Sequence, residues 1–367
     1  MFDSEFSSIE FAGMKLANRF AVAPMTRVSA QSNGRASDLM QEHYKRYAEG
    51  GFALVITEGI YPDQDASQGY ENQPGLADAL QGESWRPIVR EVHESGAKII
   101  AQLMHVGAQM QFNRFGKQPL GITDQKPVGK PLGLYGDQEA WQDAKAMDES
   151  DFERVLNGFL HGIRNAAEAG FDGVELHAAN GYLLNELLST HFNTRDDKWG
   201  GDMRRRAQFV LDVVKAAREM VADDFVLGIR LSQITITDPD YQWPEGEEGF
   251  TWLVQALSDA GIDYIHTTDN EANRPALKDS TRSLAEVVRD AGIPLIVNGG
   301  IDASNYAKMA AHYPGALLAL GKAALADPQF VNKVKDGDKP DELDFAMLQP
   351  IANLENEMRW REEQQSS

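Results

Sequence analysis

Short apolar runs and amphipathic stretches alternate along almost the whole chain. The apolar runs are continuous in Val, Ile, Leu and Ala rather than alternating with polar residues, which is typical of parallel strands buried on both faces. They predict strands at residues 20–23, 53–57, 98–103, 173–176, 226–231, 264–267, 294–297 and 316–320.

The stretches between these runs carry apolar residues at helical spacing. They predict helices at residues 37–49, 84–94, 150–169, 203–221, 248–260, 283–291, 303–311 and 328–334. Ser150 and Asp302 are expected to cap two of them at the amino-terminal end. The strand–helix alternation predicts a single (β/α)8 TIM barrel, and a doubly wound open sheet is the main alternative.

The connection after the third predicted strand is unusually long. Residues 105–148 are rich in Gly, Pro, Gln and Lys. A loop of this length in a compact domain is usually functional, so we expect a lid or cap there. We assign residues 1–348 to the barrel and residues 349–367 to a C-terminal helix with a disordered tail.

Composition narrows the classes of function. The chain has 367 residues, and 35 basic against 56 acidic side chains give a net charge of −21, which argues against nucleic acid and anionic membranes as partners. The acidic amino terminus lacks the features of a signal peptide and no apolar run is long enough to span a bilayer, so we expect a cytoplasmic protein. Cysteine is absent, which excludes disulfides, thiolate metal sites and cysteine-held iron–sulfur clusters, and no metal is expected.

The segment 173–188, GVELHAANGYLLNELL, carries the strongest sign of chemistry. An apolar strand ends at His177, and Asn180 and Tyr182 follow within one turn. In an α/β barrel the carboxyl ends of the strands build the active site. Three different hydrogen-bonding side chains at such an end are hard to explain by packing alone.

Two glycine-rich strand ends indicate a phosphate site. The seventh strand ends at Asn298, Gly299 and Gly300, and the eighth ends at Gly321 and Lys322. In phosphate-binding barrels these two loops and a nearby helix amino terminus cradle the phosphate. Ordinary left-handed turns are the alternative. No G-x-G-x-x-G fingerprint, NTPase phosphate loop or H-E-x-x-H motif occurs.

Polar residues also interrupt other apolar strands. Arg230 lies inside the run VLGIRL, where a buried guanidinium needs an anion or a polarised ligand. A salt bridge to Glu58 or Glu175 is the alternative. Further polar or special residues at strand ends that would face the same mouth are Pro24, Met25, Thr26, Gln102 and Met104.

Together these residues resemble the Old Yellow Enzyme family of flavin oxidoreductases. The resemblance runs from residue 18 to about residue 333 and rests on NRFAVAPMTR, LVITEGI, AQLMHVG, GVELHAANGYLLNELLS, RDDKWGG, GIRLS, NGG and GKAALADP. It implies an FMN-dependent (β/α)8 barrel, with tightly and non-covalently bound FMN and NAD(P)H as the electron donor.

The resemblance also implies roles for individual residues. His177 and Asn180 would hold the substrate's carbonyl or nitro oxygen, Tyr182 would donate a proton, and Met104 would border the substrate. Residues implied to bind FMN are Pro24, Met25, Thr26, Gly59, Gln102 and Arg230 along the ring, and Asn298, Gly299, Gly300, Gly321 and Lys322 at the phosphate.

Two departures from the family pattern stand out. Lys322 occupies a position that is usually arginine, so the charge remains but a bidentate phosphate contact is lost. Met104 occupies a position that is tryptophan in some members. Lack of cysteine separates the chain from members with an iron–sulfur cluster.

The leading hypothesis is an ene reductase. It would transfer hydride from NAD(P)H through flavin N5 to the β-carbon of an activated alkene, such as an enone or nitroalkene, and Tyr182 would protonate the α-carbon. A barrel lyase or isomerase that acts on a phosphorylated substrate is the alternative, and a non-catalytic flavin store is a third reading. The expected partners are a small-molecule substrate and NAD(P)H, without nucleic acid or membrane, and a homo-oligomer is compatible with the sequence.

Overall fold

Eight parallel strands close into a barrel in the computed structural model, which describes residues 5–235 and 237–365. Each barrel strand pairs with the next one along the chain, and the last pairs with the first. This order confirms the predicted (β/α)8 barrel and rejects the open sheet. No helix among the described residues has both the length and the apolar character needed to cross a membrane.

The barrel strands match the predicted ones closely. The strands of the structure, in chain order, are β1 (Ile9–Phe11), β2 (Met14–Leu16), β3 (Phe20–Val22), β4 (Leu54–Ile56), β5 (Lys98–Leu103), β6 (Leu120–Gly121), β7 (Lys145–Ala146), β8 (Gly173–Asn180), β9 (Val226–Thr235), β10 (Tyr264–Thr268), β11 (Leu295–Asn298) and β12 (Leu317–Leu320). Of these, β3, β4, β5, β8, β9, β10, β11 and β12 form the barrel. Strands β8 and β9 run about four residues beyond their predicted ends, so His177 and Asn180 belong to the strand itself.

Helices surround the barrel, and most of the predicted ones are present with differences at their ends. The helix predicted at residues 203–221 is divided in two, and the short helices at residues 183–188 and 322–326 were not predicted. The helices of the structure, in chain order, are α1 (Asp38–Glu49), α2 (Ala79–Glu94), α3 (Glu149–Ala169), α4 (Leu183–Leu188), α5 (Met203–Arg206), α6 (Gln208–Met220), α7 (Gly246–Asp259), α8 (Leu284–Asp290), α9 (Tyr306–His312), α10 (Lys322–Ala326), α11 (Phe330–Asp336) and α12 (Leu354–Gln365).

Two predicted caps are wrong. The side chain of Asp148, not Ser150, accepts a hydrogen bond from the Asp151 N–H at the start of α3, in a reciprocal capping box. Asp302 binds the Ser304 backbone and hydroxyl in a turn, and α9 starts later. At α3, Asp148 and Ser150 are both suitable acceptors, so the sequence alone does not choose between them. At α9 the N-cap is Asn305, whose side chain makes no capping hydrogen bond.

Two elements outside the predicted pattern close the ends of the barrel. The antiparallel hairpin β1–β2 packs Phe11, Met14 and Leu16 against interior residues such as Tyr264. At the opposite end, the long connection after β5 forms a short parallel pair, β6–β7. The buried carboxylate of Glu186 anchors this connection by accepting hydrogen bonds from two of its backbone N–H groups.

The C-terminal residues pack on the barrel through α12. This helix contacts α1, and its buried Glu357 binds Arg27 in the loop that follows the first barrel strand. The expected disordered tail falls on residues 366 and 367, which lie outside the described residues.

Candidate active site

The carboxyl ends of the barrel strands surround a cavity of about 300 Å³, at the lower end of the usual range for ligand sites. Twelve of the residues singled out in the sequence line it. They are Pro24, Met25, Thr26, Gly59, Gln102, Met104, His177, Asn180, Tyr182, Arg230, Gly321 and Lys322. Segments that are far apart in the chain therefore meet at one mouth, as expected if the strands run parallel around a barrel.

The His177–Tyr182 segment is shaped by an irregularity in β8. The register with β9 shifts between Ala178 and Asn180, and Asn180 has a left-handed backbone with φ of 62°. The Asn180 N–H donates to the Ser232 hydroxyl at 2.8 Å, which holds this turn. Tyr182 is the N-cap residue directly before α4, so His177, Asn180 and Tyr182 all reach the cavity from one short stretch.

His177 has an unused hydrogen-bonding atom. Its Nδ1 is buried and has no partner among the described residues, and its ring lies 4.9 Å from the Tyr182 ring in an edge-on arrangement. Burial and the nearby charge of Arg230 lower the pKa of His177 well below its usual value. The imidazole is therefore neutral and offers one N–H without a charge.

Tyr182 is linked to a second buried phenol that the sequence motifs did not identify. The Tyr182 and Tyr70 hydroxyls lie 2.8 Å apart, and the centroid of the Tyr70 ring lies 4.8 Å from that of Tyr135, with the two rings tilted by 48°. Burial raises the pKa of Tyr182 and outweighs the opposing effects of Tyr70 and Arg230. Tyr182 thus keeps its proton at neutral pH. Tyr70 lies in the loop between β4 and α2 and Tyr135 lies in the long connection after β5, where neither strand pattern nor motif marked them.

Arg230 makes no salt bridge with any described residue, so the alternative of a pairing with Glu58 or Glu175 is wrong. Its Nη2 donates to Asn298 Oδ1 at 2.9 Å and Thr268 Oγ1 at 3.2 Å. Its Nε is buried without a partner among the described residues. Arg230 lines the cavity, and its cation is held by neutral oxygens with one buried donor left over, which fits a polar ligand nearby better than a structural ion pair.

Asn298, Gly299 and Gly300 do not line this cavity. Asn298 instead orients Arg230, and Gly300 lines a neighbouring groove that shares Lys322 with the cavity. Gly299 has φ of 146°, and a Cβ there would lie 2.6 Å from the Asp269 carbonyl oxygen. Only glycine fits at this position, where the chain passes close to another loop.

Gly59 makes room mainly for a protein side chain. A Cβ at this position would lie 2.7 Å from Met104 Sδ. The absence of a side chain at Gly59 therefore lets Met104 pack across the cavity floor beside it. Since the thioether is flexible, this part of the wall is adaptable.

The far wall of the cavity comes from residues outside the predicted strand ends. Leu134 and Tyr135 come from the long connection, and four residues come from the C-terminal segment after α11: Leu343, Phe345, Leu348 and Ala352. The expectation of a cap from the long connection agrees with this position. No sequence signal placed the C-terminal segment at the mouth, because contacts between distant segments leave no local pattern.

These residues fit a flavin. An apolar slot with Arg230 Nε and His177 Nδ1 left unpartnered matches a flat, polar-edged ring system, and Lys322 at the junction with the adjoining groove supplies a positive charge for a phosphate. Polar groups buried without partners are costly, so a bound ligand is the simplest explanation for them.

Comparison with known proteins agrees with this reading. The sequence profile of the family described as "NADH:flavin oxidoreductase / NADH oxidase family" matches residues 5–341. The chain belongs to this family. Membership makes it a flavin oxidoreductase of the Old Yellow Enzyme type, and so favours that reading over the barrel lyase or isomerase.

The relatives are similar over most of their length. A probable NADH-dependent flavin oxidoreductase, YqiG of Bacillus subtilis, is 31% identical over 336 residues, which covers 89% of this chain and 86% of the relative. A chanoclavine-I aldehyde reductase of Penicillium roqueforti is 30% identical over 347 residues, with 90% and 89% covered.

Solved structures of the family superimpose on this fold. Morphinone reductase matches with a TM-score of 0.80 and 26% identity, covering 93% of this chain and 91% of that one. An Old Yellow Enzyme homologue from Zymomonas mobilis matches with a TM-score of 0.79 and 25% identity, covering 92% and 94%. A structure of morphinone reductase in complex with tetrahydroNAD matches with a TM-score of 0.78.

Proposed function

We propose that this protein is an FMN-dependent ene reductase that takes electrons from NAD(P)H and reduces activated alkenes such as enones or nitroalkenes. The observation that carries the proposal is the meeting of an unpartnered His177 nitrogen, the Asn180 amide and the Tyr182 phenol at one wall of the cavity. Bound FMN would supply hydride transfer between the nicotinamide and the electron-poor C=C bond.

FMN would be held tightly but without a covalent bond. Pro24, Met25, Thr26, Gly59 and Gln102 border the part of the cavity that suits the ring, and Arg230 offers its free Nε to an electron-rich edge. Residues proposed for the phosphate are Gly299, Gly300, Gly321 and Lys322, with Asn298 acting by orienting Arg230.

His177 and Asn180 would bind the oxygen of the activating group. Negative charge develops on that oxygen when hydride adds to the β-carbon, and preorganised donors stabilise such charge by a few kcal/mol each. Because the imidazole is neutral, it donates a hydrogen bond without forming an ion pair with the substrate. Met104 would border the alkene.

Tyr182 would protonate the α-carbon. Its raised pKa keeps the proton in place until carbanion character develops there. The hydrogen bond to Tyr70 holds the phenol in position and offers a second hydroxyl next to it.

Stopped-flow kinetics of Tyr182→Phe test this assignment. Reduction of the bound flavin by NAD(P)H should stay within about threefold of wild type, since no proton at the α-carbon is needed there. Reoxidation by cyclohexenone should slow by roughly 10²–10⁴-fold, the usual contribution of a positioned acid. Tyr70→Phe is the matched control and should slow reoxidation far less. Equal losses in both half-reactions of Tyr182→Phe would contradict the role as proton donor, and a protein that binds no FMN would contradict the function itself.

A further inference from the structure

A carboxylate lies inside the barrel, one layer below the cavity. Glu175 stands two positions before His177 on the same face of β8 and is completely buried. Branched apolar side chains normally fill the interior of such barrels. Neither the proposed hydride transfer nor the proton transfer uses Glu175, so its presence calls for another explanation.

Glu175 accepts hydrogen bonds from three side chains of the described residues. Its Oε1 accepts from Gln102 Nε2 at 2.8 Å, and its Oε2 accepts from the Tyr264 hydroxyl and His266 Nδ1, both at 2.9 Å. Burial alone would raise the pKa of Glu175, but His266, Arg230 and Gln102 outweigh burial, and the pKa lies below its usual value. The group is therefore an ionised carboxylate, which has acceptors and no donor.

This chemistry decides which way the Gln102 amide points. Since the carboxylate can only accept, Gln102 must turn its NH2 group toward Glu175. The Gln102 carbonyl oxygen then receives no hydrogen bond from the described residues, and the side chain borders the cavity. Gln102 therefore presents a hydrogen-bond acceptor, its carbonyl oxygen, to a ligand in the cavity.

We propose, on the basis of the function above, that Glu175 is a positioning residue that fixes the Gln102 amide so that its carbonyl oxygen selects a ligand edge bearing an N–H. The pyrimidine edge of a flavin ring carries one such group, N3–H, between two carbonyls. Without Glu175 the amide is free to turn its NH2 group to either carbonyl, and the selection for N3–H is lost.

Glu175 also balances the charge of Arg230. The two groups are not hydrogen-bonded, but the carboxylate raises the pKa of Arg230 against the stronger, opposing effect of burial. A neutral side chain at position 175 leaves the positive charge at the cavity wall uncompensated. That charge favours the more negative, reduced form of the flavin, so the reduction potential of bound FMN should rise.

The test compares Glu175→Gln with the matched control Tyr264→Phe, which removes one hydrogen bond to the same carboxylate but keeps its charge. Full-length protein is incubated with equal amounts of FMN and N3-methyl-FMN, and the bound flavins are measured after gel filtration. Wild type and Tyr264→Phe should prefer FMN by tenfold or more, and Glu175→Gln should lose most of this preference.

The reduction potential gives a second readout that a purely structural role would not move. Glu175→Gln should favour reduced over oxidised FMN about tenfold more than wild type does, which is about 30 mV for a two-electron couple. Tyr264→Phe should leave the potential unchanged.

Unchanged preference and unchanged potential in a folded Glu175→Gln protein would overturn the inference, as would a wild type that binds both flavins equally. If Glu175→Gln does not fold, the same binding test is done with Gln102→Met, which should lose the preference for FMN over N3-methyl-FMN. A Gln102→Met protein that keeps this preference overturns the inference. A wild type that is reduced by NAD(P)H but shows no preference refutes only this inference. A wild type that binds no FMN refutes the proposed function as well.

Discussion

Replacing the buried Glu357 should loosen the C-terminal segment from the barrel. Glu357 lies on α12 with its side chain fully buried, and Arg27, Arg46 and Arg361 surround it at 2.8, 2.5 and 2.9 Å. Arg27 directly follows Thr26 in the proposed FMN site and is itself only 1% exposed. The ion pair therefore joins the start of the cavity wall to its C-terminal part.

The expected cost follows from the burial of Arg27. Removing one partner of a buried pair costs about 3–5 kcal/mol, because the other charge is left uncompensated. In Glu357→Gln the new amide keeps one acceptor, and Arg27 keeps its 3.1 Å bond to the Asn353 carbonyl. We therefore expect the low end, a loss of about 3 kcal/mol in the free energy of unfolding.

The stability lost in Glu357→Gln should become smaller as the pH falls. Burial opposes ionisation of Glu357, but the three arginines outweigh burial and lower its pKa below 4.5. A lowered pKa gives stability that is present above the unfolded value and is lost as pH falls through the folded value. The difference between wild type and Glu357→Gln should therefore be full at pH 7 and shrink below pH 4.5.

Urea unfolding of wild type and Glu357→Gln, at pH 7 and below pH 4.5, measures the difference in the free energy of unfolding. Glu342→Gln is the control, since Glu342 pairs with Lys339 at the surface and both side chains are more than three-quarters exposed. Such an exposed pair contributes little to stability. Glu357→Gln should also release FMN more readily, because Leu348 and Ala352 border the cavity. A Glu357→Gln protein as stable as the control at pH 7 would refute the reasoning.

Two further predictions concern buried positions around the site. Burial raises the pKa of Glu58, which accepts the Arg27 and Val28 N–H groups, to about 7, and burial raises that of Glu186 to about 7 as well. A raised carboxyl pKa gives stability that is full below the unfolded value of 4.5 and is lost as pH rises toward 7. Ionisation of each group should therefore lower the free energy of unfolding by on the order of 3 kcal/mol between pH 4.5 and pH 7. Glu58→Gln should remove about half of the measured fall. A pH profile of unfolding that matches wild type would contradict this. Gly299→Ala should raise FMN release more than tenfold, because its Cβ would meet backbone atoms at 2.6 and 2.7 Å. Gly315→Ala, also at positive φ, should leave FMN release unchanged, because no atom of the described residues lies within 4 Å of its Cβ. Equal effects of the two alanines on fluorescence-monitored FMN release would show that the close backbone contact at Gly299 is unimportant.

Most of the barrel was predictable because its signals are local. A parallel strand buried on both faces must be a continuous apolar run, and a polar residue that interrupts such a run, as Arg230 does, is visible without knowing its neighbours. The amino-terminal hairpin was missed for a related reason. Its strands have three residues each, and its Ala12–Gly13 turn of positive φ carries no strong turn pair.

The sequence by itself determined the order of strands and helices, the family, and the set of polar residues at the strand ends. It could do so because hydrophobic period and short motifs are properties of neighbouring residues. The tertiary structure alone decided which partners those residues have: Arg230 binds Asn298 rather than a carboxylate, Tyr70 meets Tyr182, and the C-terminal segment closes the cavity. The first two contacts join residues 68 and 112 positions apart in the chain. Hydrogen-bond geometry and burial at such distances depend on how the barrel closes, and no local pattern encodes them.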